Sequence, residues 1–333
     1  MTAALGSAPP VAGGVEVDLP GDGVRLKATR WAGSGATGGA AVLLLHGLAS
    51  TRHIWDLVVP GLAGLPVVAL DQRGHGDSGR PVGPYDGATV VRDAVTALDA
   101  LGLSRVVVVG HSWGATTALR LAADQPQRVL AAVALDGGLG GLGGAGRSRA
   151  EVRELLTPPR FAVPPDDLRR RLAAGPLQPW WSAAVEQAVL PLFEVGDDGL
   201  ARARLPFEAH MAILDDLLDT DHDDLWRRAT CPVWMVSCAA AQDGAAGTDW
   251  ASAKDAALAR AGTLLAEPRL LRWQGAVHDV PLQWPALVAG LVRAAHDEAV
   301  STAGAGSASA AGAGSVSAST GVLPASAGEG DPA

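Results

Sequence analysis

Short apolar runs of four to seven residues recur along this chain, separated by stretches whose apolar positions fall at helical spacing. Val15–Leu19 and Val24–Trp31 alternate, or nearly so, around Pro20-Gly21-Asp22-Gly23, which predicts a hairpin at a sheet edge. Ala41–Leu45, Val67–Leu70 and the four valines from Val106 read as strands buried on both faces; Val129–Leu135, Val233–Cys238 and Arg269–Trp273 read as further strands. Helical spacing is found over Ile54–Leu62, Asp86–Leu101, the Ala/Leu-rich run that follows Gly114, Trp250–Leu265 and Pro281–His296. Strand and helix alternate so regularly that a mostly parallel sheet covered on both faces is expected.

The pattern breaks in three places. Residues 1–14 are largely Ala, Gly, Pro and Ser and read as a disordered leader. Gly137–Gly146 is nearly all glycine, and the segment 137–220 is rich in proline, arginine and paired tryptophans; it reads as a helical cap hinged on the glycine run. Residues 299–333 are Ser, Thr, Ala and Gly with almost no charge, a disordered tail. The expected core is therefore 15–136 and 221–298, one main domain with an insertion, and no internal repeat is visible.

Composition changes this picture little but narrows the partners. With 333 residues, 48% of them hydrophobic, the chain can bury a large core. Its net charge is −9 and its arginines are scattered, which argues against a nucleic-acid or acidic-membrane surface. Cys231 and Cys238 stand at the two ends of one apolar run, too far apart along a strand to bridge, so free thiols in a reducing compartment are expected. The first residues lack a basic segment followed by an apolar one, and no charge-free apolar run is long enough to span a bilayer. A cytoplasmic protein is the expectation.

The candidate chemistry sits in Gly110-His111-Ser112-Trp113-Gly114, between the four-valine strand and the helix after it. A turn this sharp brings the backbone on either side of its centre close together, so only small residues fit at Gly110 and Gly114. Ser112 is then forced to project above the sheet, and the N–H of Trp113, opening the helix, points toward a developing negative charge. A serine so placed is a candidate nucleophile that needs a base, and the base needs an orienting partner.

Four motifs in order, LLLHGLAS, DQRGHGDSG, GHSWG and GAVHDVP, resemble the α/β-hydrolase superfamily over roughly residues 15–298. The resemblance implies an eight-stranded, mostly parallel sheet with helices on both faces and an inserted cap. It implies Ser112 as nucleophile, His278 as base, and the N–H groups of Leu48 and Trp113 as the oxyanion hole. The acid is left open. Most of the superfamily places it after the strand that here is Val233–Cys238, which points to Asp243, a couple of residues late in an alanine-rich loop. Some branches place it one strand earlier, which points to Asp136 at a strand end backed by glycines, the more rigid of the two positions. Arg73 and Asp77 of the second motif are expected to brace the rim by satisfying buried backbone groups.

Other signals are weaker. Gly138-x-Gly140-x-x-Gly143 has the dinucleotide fingerprint but opens no βαβ unit. Asp219-x-Asp221-x-Asp223 resembles the start of a calcium loop but has Asp224 where glycine is needed and Thr230 where a bidentate glutamate is needed; it reads as an acidic helix start. No Cys/His spacing suits zinc, and neither metal nor organic cofactor is expected. Trp180, Trp181, Phe193 and Phe207 are core residues or the walls of an apolar pocket. The expected activity is a serine hydrolase that cleaves an ester, thioester or lactone of a small, largely apolar molecule. The alternatives are hydrolysis of a carbon–carbon bond in a diketone-like substrate and a non-catalytic ligand sensor on the same fold. Serine at the nucleophile position argues against the haloalkane dehalogenase and epoxide hydrolase branches, which attack with aspartate.

Overall fold

The structure is a computed structural model, which describes residues 3–5, 11–34, 40–140, 147–239 and 245–312. In chain order the elements are β1 (Ala3–Ala4), β2 (Gly14–Pro20), β3 (Arg25–Trp31), β4 (Ala41–Leu45), β5 (Val67–Asp71), α1 (Gly87–Ala100), β6 (Val106–His111), α2 (Trp113–Asp124) and β7 (Val129–Leu135). There follow α3 (Arg149–Leu155), α4 (Pro165–Ala173), α5 (Ala183–Val189), β8 (Phe193–Val195), β9 (Ala201–Ala203), α6 (Phe207–Asp219) and α7 (His222–Arg228). The chain closes with β10 (Val233–Ala239), α8 (Ala245–Leu264), β11 (Pro268–Gln274), α9 (Val280–Gln283) and α10 (Pro285–Gly312).

Eight strands form the main sheet in the order β11-β10-β7-β6-β4-β5-β3-β2. The six strands from β11 to β5 are parallel, and the hairpin β2–β3 is added antiparallel at one edge. The strands pack as their period dictates: Leu43, Leu45, Val106 and Val108 face the core beneath α1, α2 and α8, whereas Val42, Leu44 and Val109 face the core that contains α5, α9 and α10. After β4 the chain adds β5 on one side and then returns to place β6 on the other. The reversal between β4 and β6 leaves a crevice at their carboxyl ends, where such sheets bind ligands.

Several elements differ from the sequence expectation. Ile54–Leu62 is two 3₁₀ turns, Arg52–Trp55 and Val59–Leu62, because Pro60 and Gly61 prevent a continued α-helix. The last expected helix is broken at Trp284, which is pushed out of helical geometry by the ring of Pro285. The inserted segment is not wholly helical: β1, β8 and β9 form a small antiparallel sheet, so Ala3–Ala4, expected in a leader, pair with Glu194 and Val195. Gly14 already begins β2. The start of the glycine run is packed, not hinge-like: Leu139 is buried, and the Trp226 indole donates to the Gly138 carbonyl at 3.1 Å. Residues 141–146 lie outside the described residues. The expected tail boundary at 299 falls inside α10, where Ala299 packs on Ala40, Val107 and Ala131. Among the described residues no helix is long and apolar enough to cross a membrane.

Candidate active site

Ser112 stands between β6 and α2 with φ 56° and ψ −121°, a strained conformation for a residue with a side chain. Its neighbours make the turn possible. A Cβ on Gly110 would collide with the Gly114 carbonyl, one on Gly114 with the Leu45 carbonyl, and one on Gly137 with the Ser112 carbonyl. Even Gly47 allows little room, since its Cβ would lie 3.0 Å from that of Ser112. The third motif and the first are thus pressed together by backbone contact.

His278 lies in the loop after β11. Its Nε2 is 3.0 Å from Ser112 Oγ and its Nδ1 is 2.7 Å from Asp136 Oδ2. Asp136 follows β7, has φ 43° and a side chain with 0% exposure. Of the two candidate acids the structure therefore brings Asp136 to His278, while Asp243 lies outside the described residues. Burial by itself would raise the Asp136 pKa, but His278 and Lys254 draw it down to about 2. For His278, desolvation opposes the charged form, yet the hydrogen bond and charge of Asp136 outweigh it and lift the pKa above the ordinary histidine value. The imidazole is surrounded by protein on its Asp136 side and opens onto the cavity on the other, which leaves its side chain 54% exposed.

Three positioning contacts were not legible in the motifs. Lys254 on α8 places Nζ 2.8 Å from each Asp136 oxygen and 3.2 Å from the Cys238 carbonyl oxygen. Gln283 of α9 accepts from the Val277 N–H at 2.7 Å and donates to the Gly275 carbonyl at 2.8 Å, which clamps the His278 loop. His111, read from sequence only as a neighbour of the nucleophile, donates Nε2–H to the His278 carbonyl at 2.8 Å; burial, and then the proximity of His278, pushes its pKa to about 4, so it is neutral. All three residues act through backbone or through side chains distant in sequence, so spacing carries no trace of them.

Leu48 and Trp113 lie beside Ser112. Trp113 is the first residue of α2, and its N–H is among those that an α-helix leaves without an internal partner. Leu48 follows Gly47 and lines the Ser112 cavity. The loop that carries it is held from behind. His46 Nε2 accepts the Gln72 N–H at 3.0 Å, and His75 Nε2 accepts the Ala49 N–H at 3.2 Å while its ring stacks on Trp113 at 5.3 Å. Burial lowers the pKa of both histidines, so both stay neutral acceptors. Arg73 binds the Pro84 and Asp22 carbonyls, as expected, and pairs with buried Asp93 at 2.6 Å. Asp77 differs: its carboxylate takes Arg204 at 2.8 Å and Arg52 at 3.1 Å, not backbone groups.

A cavity of about 310 Å³ opens on Ser112 and His278 and is walled by Leu172, Leu177, Trp181, Val189 and Phe193. A second, of about 400 Å³, shares Ala49, Ser50, Leu192 and Phe193 with the first, and has Phe161, Leu205 and Phe207 on its far wall. Trp181, Phe193 and Phe207 are thus pocket walls. The remaining acidic cluster is structural: Asp221 caps α7 by accepting the Asp224 N–H at 3.1 Å, and Asp219 pairs with Arg149 at 2.7 Å.

The chain has the α/β-hydrolase fold. The family described as alpha/beta hydrolase fold matches residues 40–179. Solved structures superpose over nearly the whole of both chains: an E-2-(acetamidomethylene)succinate hydrolase at TM-score 0.67 and 23% identity, covering 85% of this chain and 99% of that one, and a putative epoxide hydrolase from Pseudomonas aeruginosa at 0.61 and 25%, covering 88% and 99%. Among curated proteins, Lipase LipV of Mycobacterium tuberculosis is 37% identical over 42% of this chain and 52% of its own length. Epoxide hydrolase A of the same organism is 38% identical over 34% of this chain and 36% of its own. Bifunctional epoxide hydrolase 2 of Sus scrofa is 37% identical over 29% and 18%. The matches thus span from about a fifth to about half of the curated relatives' lengths. Hydrolysis is the chemistry that these relatives' names share.

Proposed function

We propose that the chain is a serine hydrolase that cleaves an ester, thioester or lactone of a small, largely apolar molecule through an acyl-enzyme. The observation that carries this reading is the continuous relay Ser112 Oγ–His278 Nε2 at 3.0 Å and His278 Nδ1–Asp136 Oδ2 at 2.7 Å, beneath a cavity walled by apolar side chains. Ser112 Oγ bonds to the substrate carbonyl carbon as its proton passes to His278 Nε2. The carbonyl π pair moves onto oxygen, where the Leu48 and Trp113 N–H groups hold it. His278 then gives its proton to the leaving oxygen or sulfur as that bond breaks, and water repeats the sequence to release the acid. Asp136 keeps the imidazole in the tautomer with Nδ1 protonated and stabilises the imidazolium. A lipase among the relatives supports an ester substrate. The epoxide hydrolase names support it less, since Ser112 occupies the elbow where those branches of the superfamily carry aspartate.

The test is hydrolysis of short p-nitrophenyl esters, thioesters and lactones together with fluorophosphonate labelling. Ser112→Ala is expected to abolish labelling and to lower kcat by about 10⁴-fold or more. Turnover of a diketone-like substrate without ester turnover would move the assignment to carbon–carbon hydrolysis. Tight binding of apolar ligands with no labelling of folded protein would move it to a sensor.

A further inference from the structure

We propose that Lys254 is a positioning residue of the triad, whose ammonium fixes the Asp136 carboxylate and sets the pH range over which His278 serves as base. The inference rests on the triad reading above. An ionised carboxylate offers about four acceptor sites, and here all four are taken: Oδ1 accepts the Cys238 N–H at 2.9 Å and Lys254 at 2.8 Å, and Oδ2 accepts His278 at 2.7 Å and Lys254 at 2.8 Å. The ammonium has three N–H groups and three acceptors, the third being the Cys238 carbonyl at 3.2 Å. Lys27 and Lys254 are the only lysines of the chain, against 26 basic residues in all. Every other position that pairs a carboxylate outside β3 uses arginine or histidine, and the compact ammonium stands where one donor atom must reach both oxygens and a carbonyl.

The electrostatic consequence follows from the groups that face this cluster. His278, His111 and Asp279 come from the loops and from β6, Cys238 from β10, and Lys254 from α8; Asp255, next on α8, is paired with Arg272 of β11 at 2.8 Å. His111 is neutral, and burial, then the Asp136 charge, holds the Cys238 thiol protonated. Lys254 is thus paired with a buried carboxylate, and its cation offsets part, not all, of the negative charge that Asp136 presents to His278. A cation on the far side of the carboxylate disfavours the imidazolium. It keeps His278 an unprotonated base to lower pH and makes its conjugate acid a better donor to the leaving group. Removing the cation therefore raises the His278 pKa, and activity that needs neutral His278 then requires higher pH.

The experiment compares the wild type with K254M, K254Q and K254R by the pH dependence of kcat/KM and by ¹H NMR titration of the His278 imidazole. Both neutral variants are expected to move the acidic limb and the His278 titration to higher pH, and to lower kcat/KM on the plateau by about 10- to 100-fold through loss of carboxylate placement. K254R, which keeps the charge, is expected to hold the limb near that of the wild type. K254Q serves if K254M fails to fold, since its amide still donates to one oxygen. An unmoved limb and titration in the neutral variants, with Ser112→Ala inactive, would overturn the role of Lys254 and leave the triad standing. Full hydrolysis by Ser112→Ala would instead remove the reading on which the inference rests.

Discussion

Among the described residues, three non-glycine residues have positive φ: Ala49 at 57°, Ser112 at 56° and Asp136 at 43°. Each belongs to a different part of the candidate site, the loop after Gly47, the proposed nucleophile and the proposed acid, and each such conformation costs about 1–3 kcal/mol. Strain of this kind persists only where the surroundings over-determine it, as the carbonyl contacts around Ser112 and the four hydrogen bonds on Asp136 do here. Replacing Asp136 by Asn keeps the shape but inverts a hydrogen bond, so kcat is expected to fall by about 10³- to 10⁴-fold, while Asp243→Asn leaves it near the wild-type value. Stopped-flow acylation with a p-nitrophenyl ester reads both. The pH profile follows from the same residues. In the proposed mechanism His278 is the neutral base, and because its pKa is raised, kcat/KM is expected to be lost as pH falls through a midpoint above 6.5. Asp136 stays ionised far below that range, its pKa held near 2, and adds no second limb near neutrality. A profile flat down to pH 5 would contradict the assignment.

At the scale of elements, the strand-turn-helix from β6 to α2 and the end of β7 behave as one unit, because Gly137 lies against the Ser112 backbone. Gly137→Ala would place a methyl group on the Ser112 carbonyl, and one of the two backbones would have to move. We expect a loss of about 2 kcal/mol or more in stability, read by urea unfolding. Fluorophosphonate labelling is expected to slow even in the fraction that remains folded. Wild-type stability and labelling in that variant would show that the turn and the β7 end are not coupled. The hydrophobic pattern showed β4 to β7, β10 and their helices, since strands buried on both faces and helices with one apolar face leave unambiguous periods. It misread the elements that proline governs, the 3₁₀ turns around Val59–Leu62 and the break at Trp284. It also missed β8 and β9, which are three residues each and too short to show a period.

For the molecule as a whole, the reversal of strand order between β4 and β6 decides where chemistry can occur, and the segment between β7 and α7 decides what reaches it. That segment is tied to the sheet's helices by Arg120–Asp216 at 2.8 Å, and to the second motif by Arg204–Asp77 at 2.8 Å. At the other end of the chain, Ala299 is buried, so the packed part of α10 extends past the expected core boundary. Deleting residues 313–333 is expected to leave kcat/KM and Tm unchanged, whereas ending the chain at Ala295 removes Ala299 from its contact with Ala40, Val107 and Ala131 and lowers Tm. Differential scanning calorimetry of the two truncations checks this, and equal Tm values would refute it.

The sequence by itself determined the sheet, its covering helices and the candidate nucleophile and base, because each depends on local information: a period, or small residues at fixed offsets around Ser112. His278 follows from the family resemblance, which places the base after the last strand. The choice between Asp136 and Asp243, the Lys254 contact, the Gln283 clamp and the donation from His111 to the His278 loop depend on side chains up to 167 residues apart. Only the tertiary structure decides these, since a hydrogen bond is set by distance and direction in space, and neither is encoded in the spacing of residues along the chain.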